Sequence, residues 1–346
     1  MDLSIIIPAH KPDRFLDRLF HRLNDVARHL KSYCIQAEVL FIHSEASEDL
    51  GRRLSDLSAL SLRYFSYQNI LSPSEARNVG FNASIGRYVF FHDVDDLLNF
   101  DSPTAFRALS LWEFESKYDV ICFRYRKIRN GVPEYIDHGI KKFDRVFPPS
   151  ELMQYIELYS YKPHFYTLFV HCWSKIYRRE FLVQNRISFN IKLTQLEDVN
   201  FNINVILSEP IIYLSSIFLY DYNIQNAGSN LSSLSGSGGG RDIQAVVRAL
   251  HPIRPLLFKL GSDHQRVRFI TRSLYSSIIV LWLLRFARRQ RSFHAIRRVV
   301  GEYLRSEIVR QVIPYYIFAP GTSVSIPLLI RIRSRFLLSV FLRFRV

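Results

Sequence analysis

The stretch His92-Asp93-Val94-Asp95-Asp96 closes an apolar run, Tyr88-Val89-Phe90-Phe91. On an extended chain, residues two apart face the same side, so Asp93 and Asp95 point together at the end of that run. Two carboxylates placed so close repel unless a cation sits near them. Their hard oxygens suit Mg2+ or Mn2+, and such an ion would hold a diphosphate and neutralise it as it leaves. The same residues also fit a solvated acidic turn in which Asp96 caps the next helix.

The surrounding elements bear on that choice. Leu3-Ser4-Ile5-Ile6-Ile7-Pro8 reads as a buried strand ended by proline. Phe15, Leu16, Leu19, Phe20 and Leu23 repeat at helical spacing. Strands are expected over Glu38 to His43, Leu62 to Tyr67 and Arg87 to His92, with a helix between the first two and another starting near Pro73-Ser74. Strands alternating with helices predict an α/β protein with an open, mostly parallel sheet. Ligands of such sheets bind beyond the carboxyl ends of the strands, where the aspartates stand. After residue 100 the pattern loosens. Aromatic residues crowd between Tyr155 and Trp173, and a helix is expected after Glu197. The run from Ser229 to Gly240 is almost all serine and glycine. It marks the boundary between a domain over 1–235 and a region over 241–346, either as a linker or as a loop that closes on substrate.

The chain has 346 residues, 48% of them hydrophobic, which supports a substantial core. Cys34, Cys122 and Cys172 are scattered and form no C-x-x-C pair, so a disulfide framework or zinc knuckle is not expected and a reducing compartment fits. Met1-Asp2-Leu3 carries no basic segment, and Leu3 to Pro8 is too short for a signal peptide. Charge is divided unevenly. Residues 1–240 hold 26 Lys/Arg against 27 Asp/Glu, whereas residues 241–346 hold 20 against 4. The second region, net +16 and mostly arginine, asks for an anionic partner, membrane or nucleic acid.

Several motifs in order resemble the family 2 glycosyltransferases of GT-A fold. They are Ser4-Ile5-Ile6-Ile7-Pro8-Ala9-His10; Ser74-Glu75-Ala76-Arg77-Asn78-Val79-Gly80; Ala83-Ser84-Ile85-Gly86-Arg87-Tyr88 leading to Asp93-Val94-Asp95-Asp96; Trp173-Ser174-Lys175-Ile176-Tyr177-Arg178; and Leu196-Glu197-Asp198. The resemblance spans roughly residues 3–232. It implies an open mixed sheet flanked by helices, with a nucleotide-binding half over 1–100 and an acceptor half over 101–235. It also implies a transferase that moves a sugar from a nucleotide-sugar donor, with a UDP-sugar favoured and Mn2+ or Mg2+ as cofactor. Pro8, Ala9, His10, His43, Arg77, Asn78, Asp93 and Asp95 would hold the donor, with Asp95 and Asp93 on the metal. Trp173, Lys175 and Asp96 would face the acceptor. Asp198 would be the base of an inverting attack, supported by Glu197. Both acids also fit the first turn of a helix, where they favour its dipole. Trp173 fits a core and Lys175 a solvated surface equally well. Arg77 fits a brace of the sheet edge as well as a phosphate contact.

Two positions depart from the family pattern. His43 stands where the second strand usually ends on an acid, and Asn223, within Tyr220-Asp221-Tyr222-Asn223, stands where a basic residue is usual.

In the C-terminal region, Ser273 to Leu284 is uncharged but shorter than the ~20 residues that span a bilayer. Gln311 to Ile330 is broken by Pro314, Pro320, Gly321 and Pro327. Arginines interleave with bulky apolar residues from Leu328 to Val346, which suits an anionic lipid surface; alternation from Ile330 to Phe336 leaves a strand open. A basic, mainly helical extension is expected, placing a cytoplasmic enzyme of capsule, exopolysaccharide or lipopolysaccharide synthesis at the inner face of the membrane, beside a saccharide or lipid-linked saccharide acceptor. A nucleotidyltransferase of similar fold and a nucleic-acid-binding protein are the alternatives. No helix-turn-helix, zinc or RNA-binding signature supports the second.

Overall fold

The computed structural model describes residues 1–10, 12–44, 61–98, 117–163, 166–193, 195–224, 243–289, 292–318 and 325–344. The Ser/Gly run and the segment over 45–60, where a helix is expected, lie outside them. In chain order the elements are β1 (Leu3–His10), α1 (Asp13–Ser32), β2 (Ala37–Ser44), β3 (Ser61–Tyr67), α2 (Pro73–Ala83), β4 (Tyr88–Phe91), β5 (Leu97–Leu98), β6 (Val120–Arg129), β7 (Val132–Tyr135), β8 (Arg145–Val146), α3 (Pro149–Tyr161), β9 (Lys175–Arg178), α4 (Arg179–Gln184), α5 (Glu197–Leu207) and β10 (Ile212–Asn223). Then follow α6 (Ile243–Leu250), α7 (Ile253–Lys259), α8 (His264–Arg289), α9 (Phe293–Arg305), α10 (Glu307–Val312), α11 (Ser325–Ile332) and α12 (Arg335–Phe344). Two compact units result. One comprises residues 1–148, 168–193 and 197–234; the other comprises 149–167, 194–196 and 235–346.

The first unit is built on one sheet of order β3-β2-β1-β4-β9-β6-β10-β5, with β7 beside β6 and β8 beside β10. β3, β2, β1 and β4 are parallel, and β9 runs against both β4 and β6, so the sheet is mixed. Ile5, Ile6 and Ile7 are all buried, as a strand covered on both faces requires. α1 buries Leu16, Leu19, Leu23, Val26 and Leu30 along one stripe.

α2 starts at a full capping box: Glu75 N–H donates to Ser72 Oγ while Glu75 Oε2 accepts from Ser72 N–H. Two glycines of the motifs have steric causes. A Cβ on Gly80 would lie 2.3 Å from Ile6 Cγ2, and one on Gly86 would lie 2.6 Å from the Ser4 backbone nitrogen. They let α2 and the turn before β4 press onto β1.

The second unit is helical among its described residues, as the C-terminal region was expected to be. Residues Ile330 to Phe336, where the alternation left a strand open, cover the end of α11, a turn at Arg333-Ser334 and the start of α12. α8 is long and apolar enough to cross a membrane by length and composition, yet 72% of its most apolar window is buried. It packs against α3, α7, α10 and α12 and is the unit's core helix.

Candidate active site

The register of the parallel strands brings several expected residues to one edge. Ala9 pairs with His43 and His10 with Ser44, while Ile6 pairs with Phe91, so Pro8–His10, His43 and Asp93–Asp96 all emerge at the carboxyl ends of β1, β2 and β4. His43 is buried, with Nδ1 2.9 Å from Tyr64 Oη.

Arg77, on α2, joins this edge to α5. One guanidinium nitrogen donates to Asp93 Oδ1 at 2.9 Å and another to Glu197 Oε1 at 3.2 Å, while the guanidinium lies 5.3 Å from the Phe189 ring centre. The arginine is buried, so its charge is committed to these two carboxylates rather than offered to solvent. Arg77 thus braces Asp93 against Glu197. Asp198, next to Glu197, accepts the Val199 N–H at 2.8 Å on Oδ1, and His171 Nδ1 lies 3.2 Å from its Oδ2.

The electrostatics divide the acids. Burial pushes Asp96 well above the usual carboxylate range, and the charges of Asp95 and Asp93 add to it. Burial and the neighbouring Asp198 charge push Glu197 up, outweighing Arg77. Burial also acts to raise Asp198, but His171, Arg77 and the Val199 N–H overcome it and hold this carboxyl below its ordinary value. Two adjacent carboxyls are thus driven apart, which is how one site acquires distinct protonation roles.

Several expected residues turn out to be placed differently. Lys175 does not line a cleft. It is 1% exposed on β9, and its ammonium donates to the His171 carbonyl at 2.6 Å. Trp173 is buried in a stack, 4.3 Å from the His171 ring and 4.7 Å from Tyr220. Asp96 accepts from Tyr220 Oη–H and from the Asn223 N–H, both at 2.8 Å, so it braces β10 instead of facing an acceptor. Asn223 contributes its backbone there, which is what remains at the position where a basic residue is usual. Both ends of the Asn78 amide are hydrogen-bonded to the Phe189 backbone, so this side chain ties down the segment at Phe189. His171 carried no signal in the sequence, because it lies outside every motif.

Among the described residues no group of three or more His, Cys, Asp or Glu side chains is arranged to hold a metal ion alone. Asp93 and Asp95 offer hard carboxylate oxygens at the end of β4, the donor chemistry that Mg2+ and Mn2+ take.

Residues 4–111 match the family described as Glycosyltransferase like family 2. The chain is 23% identical over 244 residues to the poly(ribitol-phosphate) β-N-acetylglucosaminyltransferase TarS of Staphylococcus aureus, covering 67% of this chain but only 37% of that protein. It is 21% identical over 221 residues to the uncharacterized glycosyltransferase EpsJ of Bacillus subtilis, covering 64% of this chain and 60% of EpsJ. The crystal structure of residues 1–349 of S. aureus TarS with UDP-GlcNAc aligns at a TM-score of 0.59 and 17% identity, covering 99% of this chain and 90% of that one. The resemblance to family 2 glycosyltransferases and the α/β fold of GT-A type are borne out.

Proposed function

We propose that this family 2-like chain is an inverting, metal-dependent glycosyltransferase. It would move a sugar from a nucleotide-sugar donor, a UDP-sugar first, to a hydroxyl of a saccharide or lipid-linked saccharide in bacterial surface-polysaccharide synthesis. One observation carries the reading: Arg77 ties Asp93, at the carboxyl end of β4, to Glu197, beside Asp198 at the start of α5. A donor edge and a base are thereby held at a fixed separation in one unit.

In this reading the nucleotide-binding half is residues 1–100 and the acceptor half 101–235. Pro8, Ala9, His10 and His43 line the nucleotide. Asp95 and Asp93 would hold Mn2+ or Mg2+, which would supply positive charge to a diphosphate leaving group. Asp198, ionised and 22% exposed, takes the proton of the acceptor hydroxyl. The acceptor oxygen forms the new bond to the anomeric carbon as the bond to the diphosphate oxygen breaks from the opposite face. The nucleoside diphosphate leaves with that electron pair. The name of TarS makes poly(ribitol phosphate) one of the first acceptors to try.

The C-terminal helices support attachment to the cytoplasmic face of the membrane. α12 turns Leu338 and Leu342 inward and leaves Phe336, Leu337 and Phe344 exposed; α11 leaves Leu328 and Ile332 exposed. Arg333 and Arg343 stand exposed among them. Helices apolar on their outer face and edged by arginine suit an anionic lipid surface. Phe336→Ser with Phe344→Ser should weaken sedimentation with phosphatidylglycerol vesicles; unchanged binding would remove the membrane from the reading.

The central test is a screen of UDP-, GDP-, CMP- and dTDP-sugars for Mn2+-dependent release of nucleotide. Release of a nucleoside diphosphate, lost in Asp95→Ala and Asp198→Ala, is expected. Release of pyrophosphate from a nucleoside triphosphate supplied with a sugar 1-phosphate, assayed alongside, would mean a nucleotidyltransferase, and failure to bind any sugar nucleotide would end the proposal.

A further inference from the structure

Asp198 is met by an imidazole that no motif announces, and the segment carrying that imidazole is fixed with unusual thoroughness. Three consecutive carbonyls are each tied down by a different buried side chain. The Asn202 amide donates to Val170 O at 3.2 Å, the Lys175 ammonium to His171 O at 2.6 Å, and the Tyr177 hydroxyl to Cys172 O at 3.2 Å. Asn202 also donates to the Asp198 carbonyl at 2.9 Å and accepts from Tyr177 at 2.8 Å. One residue of α5 therefore fastens the histidine's segment to the turn that bears the aspartate. The His171 ring lies flat on Trp173, their planes 9° apart, which fixes its tilt as well as its position.

Burying a lysine ammonium to hold one carbonyl is costly, and burial pushes that ammonium's pKa down. Such expense is seldom met at a segment whose placement is unimportant. An ionised carboxylate only accepts hydrogen bonds, so the Nδ1 that faces it is the donor.

We infer that His171 is a positioning residue for Asp198: the braced segment 170–172 presents its Nδ1–H to Oδ2, fixing the carboxylate's rotamer so that its remaining lone pairs face the acceptor. The inference rests on the reading of Asp198 as the base. His171 does not touch the reacting atoms; it acts through the aspartate, as an outer partner orients a catalytic group. Glu197, Arg77, Cys172, Lys175 and Tyr177 also bear on Asp198 electrostatically, but none of them is hydrogen-bonded to its carboxylate in the described contacts.

Two substitutions separate the hydrogen bond from the stack. His171→Phe keeps a flat ring on Trp173 and removes the donor. His171→Asn keeps a donor and removes most of the stack. Two readouts apply to each: the titration of Asp198, followed by 13C NMR on protein labelled at aspartate carboxyls and assigned with Asp198→Asn, and turnover of UDP-GlcNAc with Mn2+, resolved into kcat and KM.

In His171→Phe the Asp198 titration should move to higher pH. Its kcat should fall about tenfold or more with KM changed less than about twofold. His171→Asn should recover part of both. An unmoved Asp198 titration in His171→Phe overturns the inference. So do equal losses in the two variants that follow thermal stability, because the ring would then only fill space. If Asp198→Asn is inactive and His171→Phe turns over like wild type, the inference falls while the base reading stands. If Asp198→Asn itself keeps wild-type turnover, both fall.

Discussion

The same sheet buries carboxylates at both of its ends, and they are treated in opposite ways. At the amino-terminal end Glu38, fully buried on β2, collects one donor after another. Ser4 Oγ–H donates to it at 2.6 Å, Ile85 N–H at 2.8 Å and Arg63 at 3.2 Å, and the Gly86 N–H completes the ring by donating to Ser4 Oγ. One charge is met by one cation and several dipoles, as a structural buried ion should be. At the carboxyl-terminal end Asp93 and Glu197 share Arg77, Asp198 meets His171, and Asp96 meets the Tyr220 hydroxyl and the Asn223 N–H. There Asp96 and Glu197 are driven up and Asp198 down. Satisfied acids belong to architecture, whereas acids whose pKa values are driven apart mark a candidate site.

The largest effect should separate the two ends by the property that each governs. Asp198→Asn should lower turnover by roughly 10²–10⁴-fold, the range for loss of a general base, with a melting temperature close to wild type. Glu38→Ala should do the reverse. It strands the buried Ser4 hydroxyl and Ile85 N–H, at about 1–3 kcal/mol each, while kcat per folded molecule is unchanged. If Glu38→Ala abolished turnover without loss of stability, the distinction between the ends would fail.

Arg77→Met should come next, because Arg77 belongs to both categories. It leaves the half-buried Asp93 and Glu197 without their cation, a loss of at most about 3–5 kcal/mol at neutral pH. Acid should restore part of that stability, since protonated carboxyls no longer need the arginine. A loss equally large at pH 5 and pH 7, measured by chemical denaturation, would mean that the arginine acts by packing on Phe189 instead.

These outcomes turn on contacts that the sequence disclosed unevenly. The strand leading into Asp93–Asp96 and the helix starting near Pro73-Ser74 were legible because each is a local signal: an apolar run, and a proline beside a serine where a helix begins. The common edge of His10, His43 and Asp93 was legible too, because parallel strands place their carboxyl ends together. What sequence could not show is where long polar side chains spend their hydrogen bonds. Lys175 and Asn78 sit inside recognisable motifs yet serve the backbone at His171 and Phe189, the latter 111 residues away. Asp96 follows Asp95 directly but turns to Tyr220, 124 residues on. Such partners are chosen by tertiary packing, and neither spacing nor residue type encodes the choice.

The smallest effect tests the divergence of the acids most directly. Glu197→Gln keeps an oxygen for Arg77 and removes the charge beside Asp198. A carboxyl whose pKa is raised on folding takes up a proton more readily folded than unfolded. Its favourable contribution is complete below the unfolded value and is lost as pH rises through the folded one. Wild-type stability should therefore decline across that interval, between the ordinary glutamate range and the raised value, and the Gln variant should lack that part of the decline. At neutral pH the variant should be as stable as wild type or more so, within about 1 kcal/mol. The equivalent change at the opposite end, Glu38→Gln, should cost stability, because an amide nitrogen would then face either Arg63 or the two donors on Oε1. If Glu197→Gln were the more damaging of the pair, Glu197 would be an architectural acid like Glu38, and the asymmetry between the two ends of the sheet would rest on Asp96 and Asp198 alone.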